Sequence, residues 1–470
     1  MKVSCEAKHI GGRSALTKET QLSTNTTSRR ALNRVAASAF AGTAMEWYDY
    51  ILYGTASAVV FAHLFFPSHD LAVATMLSFA TFAAGFVARP LGAIIFGHLG
   101  DKLGRRTAVI GSIVLMGIST GVIGLLPNYP AVGIIAPLAL LLLRLFQGIS
   151  AGGEWGGAMV LVLEHAPKKK HGIYAAIPQL GSPVATLLST GALAIVATLP
   201  NDDFLTWGWR IPFLMAFPFL GVALYLRFRV EESPVFKQMQ AEHVVVKVPL
   251  VSAIRHTGGR MLLGGMAALL GGSGFFIMTT FMISYGTNVL GFERQTMLNA
   301  TLFGAVAQIV VIVVSGRMAD KIGAWKVCAG GALISALAAF PVFALVDTGN
   351  AALATLGVVL GMGALTIPYG PIGSLLSGMF PAQYRYSAMA VSYNVFGIIG
   401  GFLPIISQVL LVQTGNASWG VALLLMGVSL ISMVGAIGAG SRGVAAKRAK
   451  EDIAEQARGT SDSDDDMVPA

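Results

Sequence analysis

The sequence predicts an all-α integral membrane protein with twelve transmembrane helices in two pseudo-symmetric halves of six. Three observations favour this fold: an apolar composition, twelve apolar runs and a loop motif that occurs twice. The chain of 470 residues is 54% hydrophobic and only 12% charged. Soluble domains usually carry about a quarter charged residues, so this composition is typical of a membrane protein.

Most of the apolar runs are long enough to cross about 30 Å of hydrocarbon as helices. They lie at about 36–62, 71–99, 107–126, 134–164, 172–199, 209–229, 258–286, 297–316, 325–346, 351–378, 386–413 and 418–440. The longest intervening loop divides them six and six. We therefore expect a cytoplasmic polar tail (1–33), an N-terminal half (34–229), a central cytoplasmic loop (230–257), a C-terminal half (258–440) and a disordered cytoplasmic tail (441–470).

The distribution of basic residues orients the chain. The net charge is +9, yet all lysines and arginines lie in the tails or in alternate loops except Arg89, Arg144, Arg210 and Arg294. This pattern follows the positive-inside rule, so both termini are expected in the cytoplasm, with the chain in the cytoplasmic membrane. Orientation in a lipid bilayer, and not binding to a nucleic acid, therefore explains the excess of basic residues.

A ten-residue loop motif occurs in both halves. "GHLGDKLGRR" (97–106) and "GRMADKIGAW" (316–325) follow the second run of each half, offset by 219 positions. Glycines allow a tight turn, and the aspartate can accept hydrogen bonds from a nearby helix N-terminus or pair with arginines. An ordinary turn is the alternative, which two copies at one offset disfavour. The predicted conformational-switch loop comprises Gly97, Asp101, Gly104, Arg105, Arg106, Glu164, Gly316, Asp320 and Gly323.

These motifs resemble those of the major facilitator superfamily. Within it, the chain is similar to the metabolite:proton symporters, which include shikimate, 2-oxoglutarate, citrate and proline/betaine carriers. The stretches that carry this resemblance include "GTAMEWYDYILYG" (42–54), "ARPLGAIIFGHLGDKLGRR" (88–106) and "RLFQGISAGGEWGGA" (144–158). The resemblance covers about 36–440 and implies proton-coupled symport of a small carboxylate-bearing metabolite by alternating access.

Charged residues inside the apolar runs are candidates for function, because a charge at the centre of a span costs about 2.5–3.5 kcal/mol on insertion scales. Glu46 and Asp49 in the first run share one helix face with Tyr50 and Tyr53, at spacings of three, four and seven. Arg89 lies in the second run. In the fourth run, the face of Arg144 continues through Gln147 to Trp155. The C-terminal half has its charges at predicted span ends only.

We therefore expect Glu46 or Asp49 to carry the coupling proton, while Arg144, and Arg89 as a second candidate, bind an anionic group of the substrate. Burial favours a neutral carboxyl group and a nearby arginine favours the ionised one, so a change of surroundings can load and release a proton. The alternative is a permanent structural cluster of the two acids with the two arginines. Further candidates for substrate binding are Gln147, Tyr50, Tyr53, Gln179, Tyr369 and Asn394.

The sequence contains no nucleotide-binding loop, metal-ligand cluster or nucleophile–base constellation, so we expect no enzyme activity, no metal and no cofactor besides the proton. The expected substrate is a small organic acid or a zwitterion, carried by a monomer. Uncoupled uniport of the same metabolites is an alternative mechanism. A non-transporting receptor is a third interpretation, and it would need an output domain that the short tails do not supply.

Overall fold

The computed structural model describes the backbone of residues 7–103, 105–152, 154–228, 250–441 and 444. It describes most side chains from Leu32 onward, with 97–98, 100–106 and 382–384 among the exceptions. The predicted C-terminal tail beyond Val444 and positions 230–249 of the predicted central loop lie outside the described residues. So does Gly104 of the predicted switch loop.

The described residues form twelve helical passes, numbered α1 to α12 in chain order. They are α1 (Ala7–Ala56, continuing through 57–64), α2 (Leu71–Leu103), α3 (Arg105–Ile123), α4 (Ile135–Ser150 and Glu154–His165), α5 (His171–Gln179 and Gly181–Val196), α6 (201–228), α7 (250–288), α8 (Arg294–Ile322), α9 (Ala324–Val346), α10 (Ala351–Thr366 and Ile372–Met379), α11 (Ala382–Gln413) and α12 (Trp419–Ala439).

Each predicted run coincides with one of these helices, and the differences lie at the ends. Helix α1 begins at Ala7, so most of the predicted polar tail has helical backbone. Helix α6 begins at Asn201 and not near 209, and α7 begins at Leu250, inside the predicted central loop. Terminal turns that carry polar residues are the part of a span that apolar composition cannot delimit.

Within the described part of the chain, nine helices are long and apolar enough to cross a membrane, and two shorter apolar helices lie in α3 and α10. Helix α1 is not among these nine helices, and its middle carries two carboxylates. That middle, 46–62, is buried throughout, so protein and not lipid surrounds it. The repeat offset of 219 relates 46–62 to residues 265–281 of α7. These residues are also buried, except Met266 and Gly272.

Helices α1 and α7 therefore form the centre of the bundle, one from each half. Each also contains a π-helical turn near its outer end, Ser57–Phe61 in α1 and Ile277–Phe281 in α7. The halves α1–α6 and α7–α12 meet along α2 with α11 and along α5 with α8. The matching placement of the two central helices agrees with a duplicated fold.

Glycines allow α2 and α4 to pack with their backbones in contact. A Cβ atom added at Gly148 would overlap the carbonyl oxygen of Gly85, and one added at Gly152 would overlap the backbone of Arg89 and Ala93. Gly156 lies against Ala390 of α11 in the other half. Small residues at every fourth position permit this close approach in membranes. The approach brings Arg89 and Arg144 towards α1.

We expect Gly148→Ala to lower the apparent unfolding temperature of the detergent-purified protein, because an overpacked core loses about 1–3 kcal/mol. Gly363→Ala is the matched control, since this helical glycine of α10 has open space where the Cβ would lie. A thermal fluorescence scan compares the two variants. Equal unfolding temperatures would contradict the tight packing of α2 on α4.

Candidate functional site

The four charged residues predicted near the centre of the membrane are all buried in the N-terminal half. Their exposed fractions are 4% for Glu46, 2% for Asp49, 3% for Arg89 and 0% for Arg144. They form two ion pairs, Glu46 with Arg89 and Asp49 with Arg144. Each carboxylate of α1 thus has its own arginine, one from α2 and one from α4.

The pair of Asp49 and Arg144 belongs to a buried hydrogen-bond network. Arg144 Nη1 lies 3.4 Å from Asp49 Oδ2 and 3.2 Å from Gln147 Oε1, and its Nε donates to the carbonyl oxygen of Phe82 at 3.3 Å. The other carboxylate oxygen of Asp49 accepts from Gln147 and from Thr120 of α3. This network joins α1, α2, α3 and α4 around one neutralised charge pair.

Aromatic rings surround the Arg144 guanidinium. Its carbon lies 4.3 Å from the ring centre of Tyr53, 4.8 Å from that of Phe82 and 5.2 Å from that of Tyr50. The Tyr53 hydroxyl donates to Thr81 Oγ1 at 2.8 Å and so holds its ring in place. Cation–π contacts of this kind gain strength where water is excluded. Rings of α1 and α2 therefore enclose the Arg144 guanidinium, while its Nη2 has no hydrogen-bond partner among the described residues.

The pair of Glu46 and Arg89 has a different setting, because it lines a cavity between the two halves. The space open to the centre of a water molecule is about 10 Å³, close to the minimum for one water. Both halves supply the lining residues: Glu46, Trp47, Tyr50, Phe86, Arg89 and Trp155 from one, and Ala268, Gly272, Ser273, Phe276, Tyr393, Phe396 and Gly397 from the other.

Of the residues predicted to bind substrate, Arg89 and Tyr50 belong to this lining. Tyr53, Arg144 and Gln147 lie instead in the network around Asp49. The remaining three make bonds between helices: Gln179 accepts from Trp155 Nε1 at 3.0 Å and donates to the carbonyl oxygen of Tyr369 at 3.3 Å. Asn394 Nδ2 donates to the carbonyl oxygen of Gly152 at 3.4 Å.

Sequence reasoning missed most of the cavity wall in the C-terminal half, because uncharged aromatic and small residues carry no distinctive pattern. Trp155 was noted on the Arg144 face, but its partner was not: its ring stacks on Tyr393 of α11 at 3.9 Å and 11°. Thr120 was also missed, since a lone threonine in an apolar run gives no signal.

The second copy of the repeated loop joins the two halves on the side that the sequence predicts to be cytoplasmic. Asp320, near the end of α8, accepts from the backbone N–H of Gly172 at 2.7 Å and of Ile173 at 3.2 Å, at the start of α5. A carboxylate at a helix N-terminus is stabilised by the exposed N–H groups there. Gly316 packs on Gly172, and Gly323 ends α8 with φ of +96°, which favours glycine.

The first copy of the loop is described as backbone only: Gly97 and Asp101 lie in α2, and Arg105 and Arg106 begin α3. Glu164, the remaining switch candidate, lies at the end of α4, where its carboxylate is 4.0 Å from Arg385 of α11. The side chains of Arg105 and Arg106 lie outside the described set. The role of these residues in switching stays a prediction.

The halves also touch on the opposite side of the cavity. Arg294, at the start of α8, donates to Asn201 Oδ1 of α6 at 2.9 Å, and its guanidinium carbon lies 4.1 Å from the ring centre of Phe204. Nearer the cavity, Gly54 of α1 packs directly on Thr280 of α7. With contacts between the halves on both sides, the structure has the character of an occluded state.

Comparison with known proteins places the chain in a family. Residues 39–404 match the family model described as Major Facilitator Superfamily. The chain belongs to this superfamily. It is 38% identical over 410 residues to the inner membrane metabolite transport protein YhjE of Escherichia coli (strain K12), with 86% of this chain and 93% of the relative covered.

Two further relatives have names that state their substrates. The chain is 37% identical to the shikimate transporter of Escherichia coli (strain K12), over 86% of this chain and 93% of the relative. It is 33% identical to the proline/betaine transporter of Salmonella typhimurium, over 86% and 82%. The predicted family is confirmed: the chain is a multi-pass membrane transporter for metabolites and not an enzyme.

Solved structures confirm the predicted fold. A D-xylose–proton symporter matches with a TM-score of 0.67 at 18% identity, over 85% of this chain and 96% of the other. At this identity the match concerns the fold alone. The twelve helices in two halves are therefore those of the major facilitator fold.

We expect Asp49→Asn to destabilise the protein by about 3–5 kcal/mol, because it leaves the buried Arg144 charge without its partner. The double variant Asp49→Asn/Arg144→Gln should recover at least half of that loss. Glu164→Gln is the control, since its half-exposed pair contributes about 0–1 kcal/mol. Unfolding temperatures in detergent measure all three. A single variant as stable as the double one would contradict the charge-pairing argument.

We expect Asp320→Asn to open the predicted cytoplasmic side of the bundle more often, because hydrogen bonds to a charged acceptor contribute about 1.5–3 kcal/mol each. A cysteine introduced as Met159→Cys, at the buried contact of α4 with Gly373, reports this opening in a Cys5→Ser/Cys328→Ala background. Alkylation by a maleimide should become about tenfold faster or more.

The matched control for this measurement is Asp347→Asn. Asp347 accepts from Tyr285 and Ser418, within the C-terminal half and on the other side of the membrane. The Asp347→Asn substitution should leave the alkylation rate of the introduced cysteine unchanged. Equal alkylation rates in the two variants would show that the Asp320 contacts do not close the predicted cytoplasmic side.

Proposed function

We propose that this transporter is a proton-coupled symporter, which takes up a small carboxylate-bearing metabolite by alternating access. The observation that carries the proposal is the ion pair of Glu46 and Arg89 in the cavity between the halves. Such a cavity is where substrates bind in transporters built from two repeats. The pair presents one cation and one titratable group to whatever occupies the cavity.

Charge balance couples the binding of the substrate carboxylate to the binding of the proton. A substrate carboxylate that binds Arg89 competes with the Glu46 carboxylate, and two carboxylates on one buried arginine would leave an unpaired negative charge. Such a charge is costly in a low-dielectric site. Protonation of Glu46 removes it, so that the loaded and the empty sites carry the same net charge. Substrate and proton would therefore bind together and leave together.

Asp49 is the second candidate for the coupling proton. Its carboxylate contacts Arg144, Gln147 and Thr120, none of which lines the cavity. Protonation of Asp49 would disrupt these hydrogen bonds, whereas Glu46 lines the cavity and can be protonated without disturbing them. The geometry therefore favours Glu46 as the carrier, with Arg89 binding the substrate and the Asp49 network positioning α1, α2 and α4.

Alternating access would proceed by rocking α1–α6 against α7–α12. Release of the Arg294 contacts would open the cavity outward, and release of the Asp320 contacts would open it to the cytoplasm. In this arrangement, the protein is a monomer in the cytoplasmic membrane, with both termini in the cytoplasm. Uncoupled uniport remains the competing mechanism.

Proteoliposomes test the coupling. Shikimate, 2-oxoglutarate, citrate, proline and betaine are added one at a time while the external pH is followed. We expect external alkalinisation with a transported compound, beyond its own buffering and absent in empty vesicles. Glu46→Gln should abolish this proton uptake and still exchange labelled for unlabelled substrate, because the glutamine mimics the protonated acid.

Asp49→Asn, corrected for the amount of inserted protein, serves as the comparison for Glu46→Gln. Proton uptake that survives in both variants would refute the coupling role of the two acids. Entry of labelled compound with no change of pH in the unsubstituted protein would make it a uniporter and both acids structural.

A further inference from the structure

We propose that the cavity accepts a single anionic group, so that the substrate is a compact monocarboxylate with an uncharged body, and not a di- or tricarboxylate or a zwitterion. This inference rests on the proposed function, in which the substrate carboxylate replaces Glu46 at Arg89. It adds to that function a statement of which charged groups the rest of the cavity can accept.

The first support is the charge count of the cavity. Among its thirteen lining residues, Glu46 and Arg89 are the charged ones, and both come from the N-terminal half. Arg144 does not add a second cation, since it is fully buried outside the lining and is neutralised by Asp49. With Glu46 protonated, the cavity offers one positive charge and so matches one carboxylate.

The second support is a set of unpartnered donors beside that charge. Within the described part of the chain, Arg89 Nε and the Tyr50 hydroxyl are buried and have no hydrogen-bond partner. Both residues line the cavity, and the Arg89 guanidinium carbon lies 5.1 Å from the Tyr50 ring centre. Two donors on one side of a cavity suit the two oxygens of a carboxylate.

A glycine of the other half leaves the guanidinium accessible. Gly397 of α11 faces Arg89, and a Cβ atom added there would lie 3.5 Å from Nη1. Any larger side chain at this position would cover the cation. The carboxylate end of the cavity therefore consists of Arg89 and Tyr50, beside Gly397, and the space there, about that of one water, must widen when a substrate enters.

The described lining residues from the C-terminal half carry no charge that could pair with a second charged group of the substrate. Its lining residues are aromatic, small or hydroxylated, with Ser273 and Tyr393 as the polar ones. A second carboxylate would meet no cation there, and a buried charge without a partner is strongly disfavoured. Hydroxyl groups on the substrate body, in contrast, could bond to Ser273 and Tyr393.

Several rings of the lining already have one face in contact with another ring or with Arg89. Trp155 and Tyr393 stack on each other, Trp47 stacks on Phe276 at 5.9 Å, and Tyr50 lies under the Arg89 guanidinium. Cation–π binding of an ammonium group would have to use the faces that remain. A zwitterion would also leave a net positive charge in the cavity once Glu46 is protonated, so the monoanion is the best match.

A series of ligands with one ring tests this selectivity on the full-length protein in detergent. The probes are cyclohexanecarboxylate, cis-cyclohexane-1,3-dicarboxylate, cis-3-aminocyclohexanecarboxylate and the neutral cyclohexanecarboxamide. Trp47 and Trp155 line the cavity, so tryptophan fluorescence reports binding. We expect the monocarboxylate to bind at least about tenfold more tightly than each of the others.

The inference is overturned if the dicarboxylate or the amino acid binds as tightly as the monocarboxylate, or if the monocarboxylate does not bind at about 10 mM. Tyr50→Phe should weaken monocarboxylate binding about tenfold and leave the affinity for the amide nearly unchanged. Tyr48→Phe is the control on the same helix, because that hydroxyl donates to the Pro212 carbonyl oxygen at 2.7 Å, outside the cavity. Equal effects of the two substitutions would count against the carboxylate site.

Proton uptake, measured separately in proteoliposomes, distinguishes failure of this inference from failure of the proposed function. A dicarboxylate that enters with protons would overturn the single-anion site and leave symport standing. A monocarboxylate that binds selectively and enters without protons would support the site and refute the coupling.

Discussion

A charge at the centre of a membrane must be paired, and this requirement organises the N-terminal half. Two carboxylates on α1 each hold an arginine, one on α2 and one on α4. The pairs can form only if the backbones of α2 and α4 approach closely, which the glycines at 85, 148 and 152 allow. Close helix packing thus accompanies charge neutralisation in this half.

The two halves of the duplicated fold have diverged in what they contribute. The repeat offset places Gln308 of α8 where α2 has Arg89, and Gln308 donates to Thr366 within its own half at 2.7 Å. The N-terminal half supplies the charges of the cavity, and the C-terminal half supplies its uncharged wall. Changes in that wall can therefore alter which body fits the cavity without touching the ion pairs.

The sequence was sufficient for the fold, the family and the four buried charges, because long apolar runs and charges inside them are local signals. It could not assign partners: one helix face carries both Glu46 and Asp49, and spacing alone does not tell which arginine each one meets. It also could not separate residues of the cavity from residues that join helices. Gln179 and Asn394 lie in apolar runs as a binding residue would, yet their amides bond other helices.

Because Glu46 offsets Arg89 and Asp49 offsets Arg144, the fixed charges in the middle of the bundle sum to zero. Moving one elementary charge through the membrane potential involves about 2.3 kcal/mol per 100 mV. In the proposed alternating-access cycle, a central bundle with no net charge would move none when the empty protein reorients, and this step would be insensitive to voltage. The return of the unloaded carrier would then proceed at the same rate in an energised and in a depolarised cell.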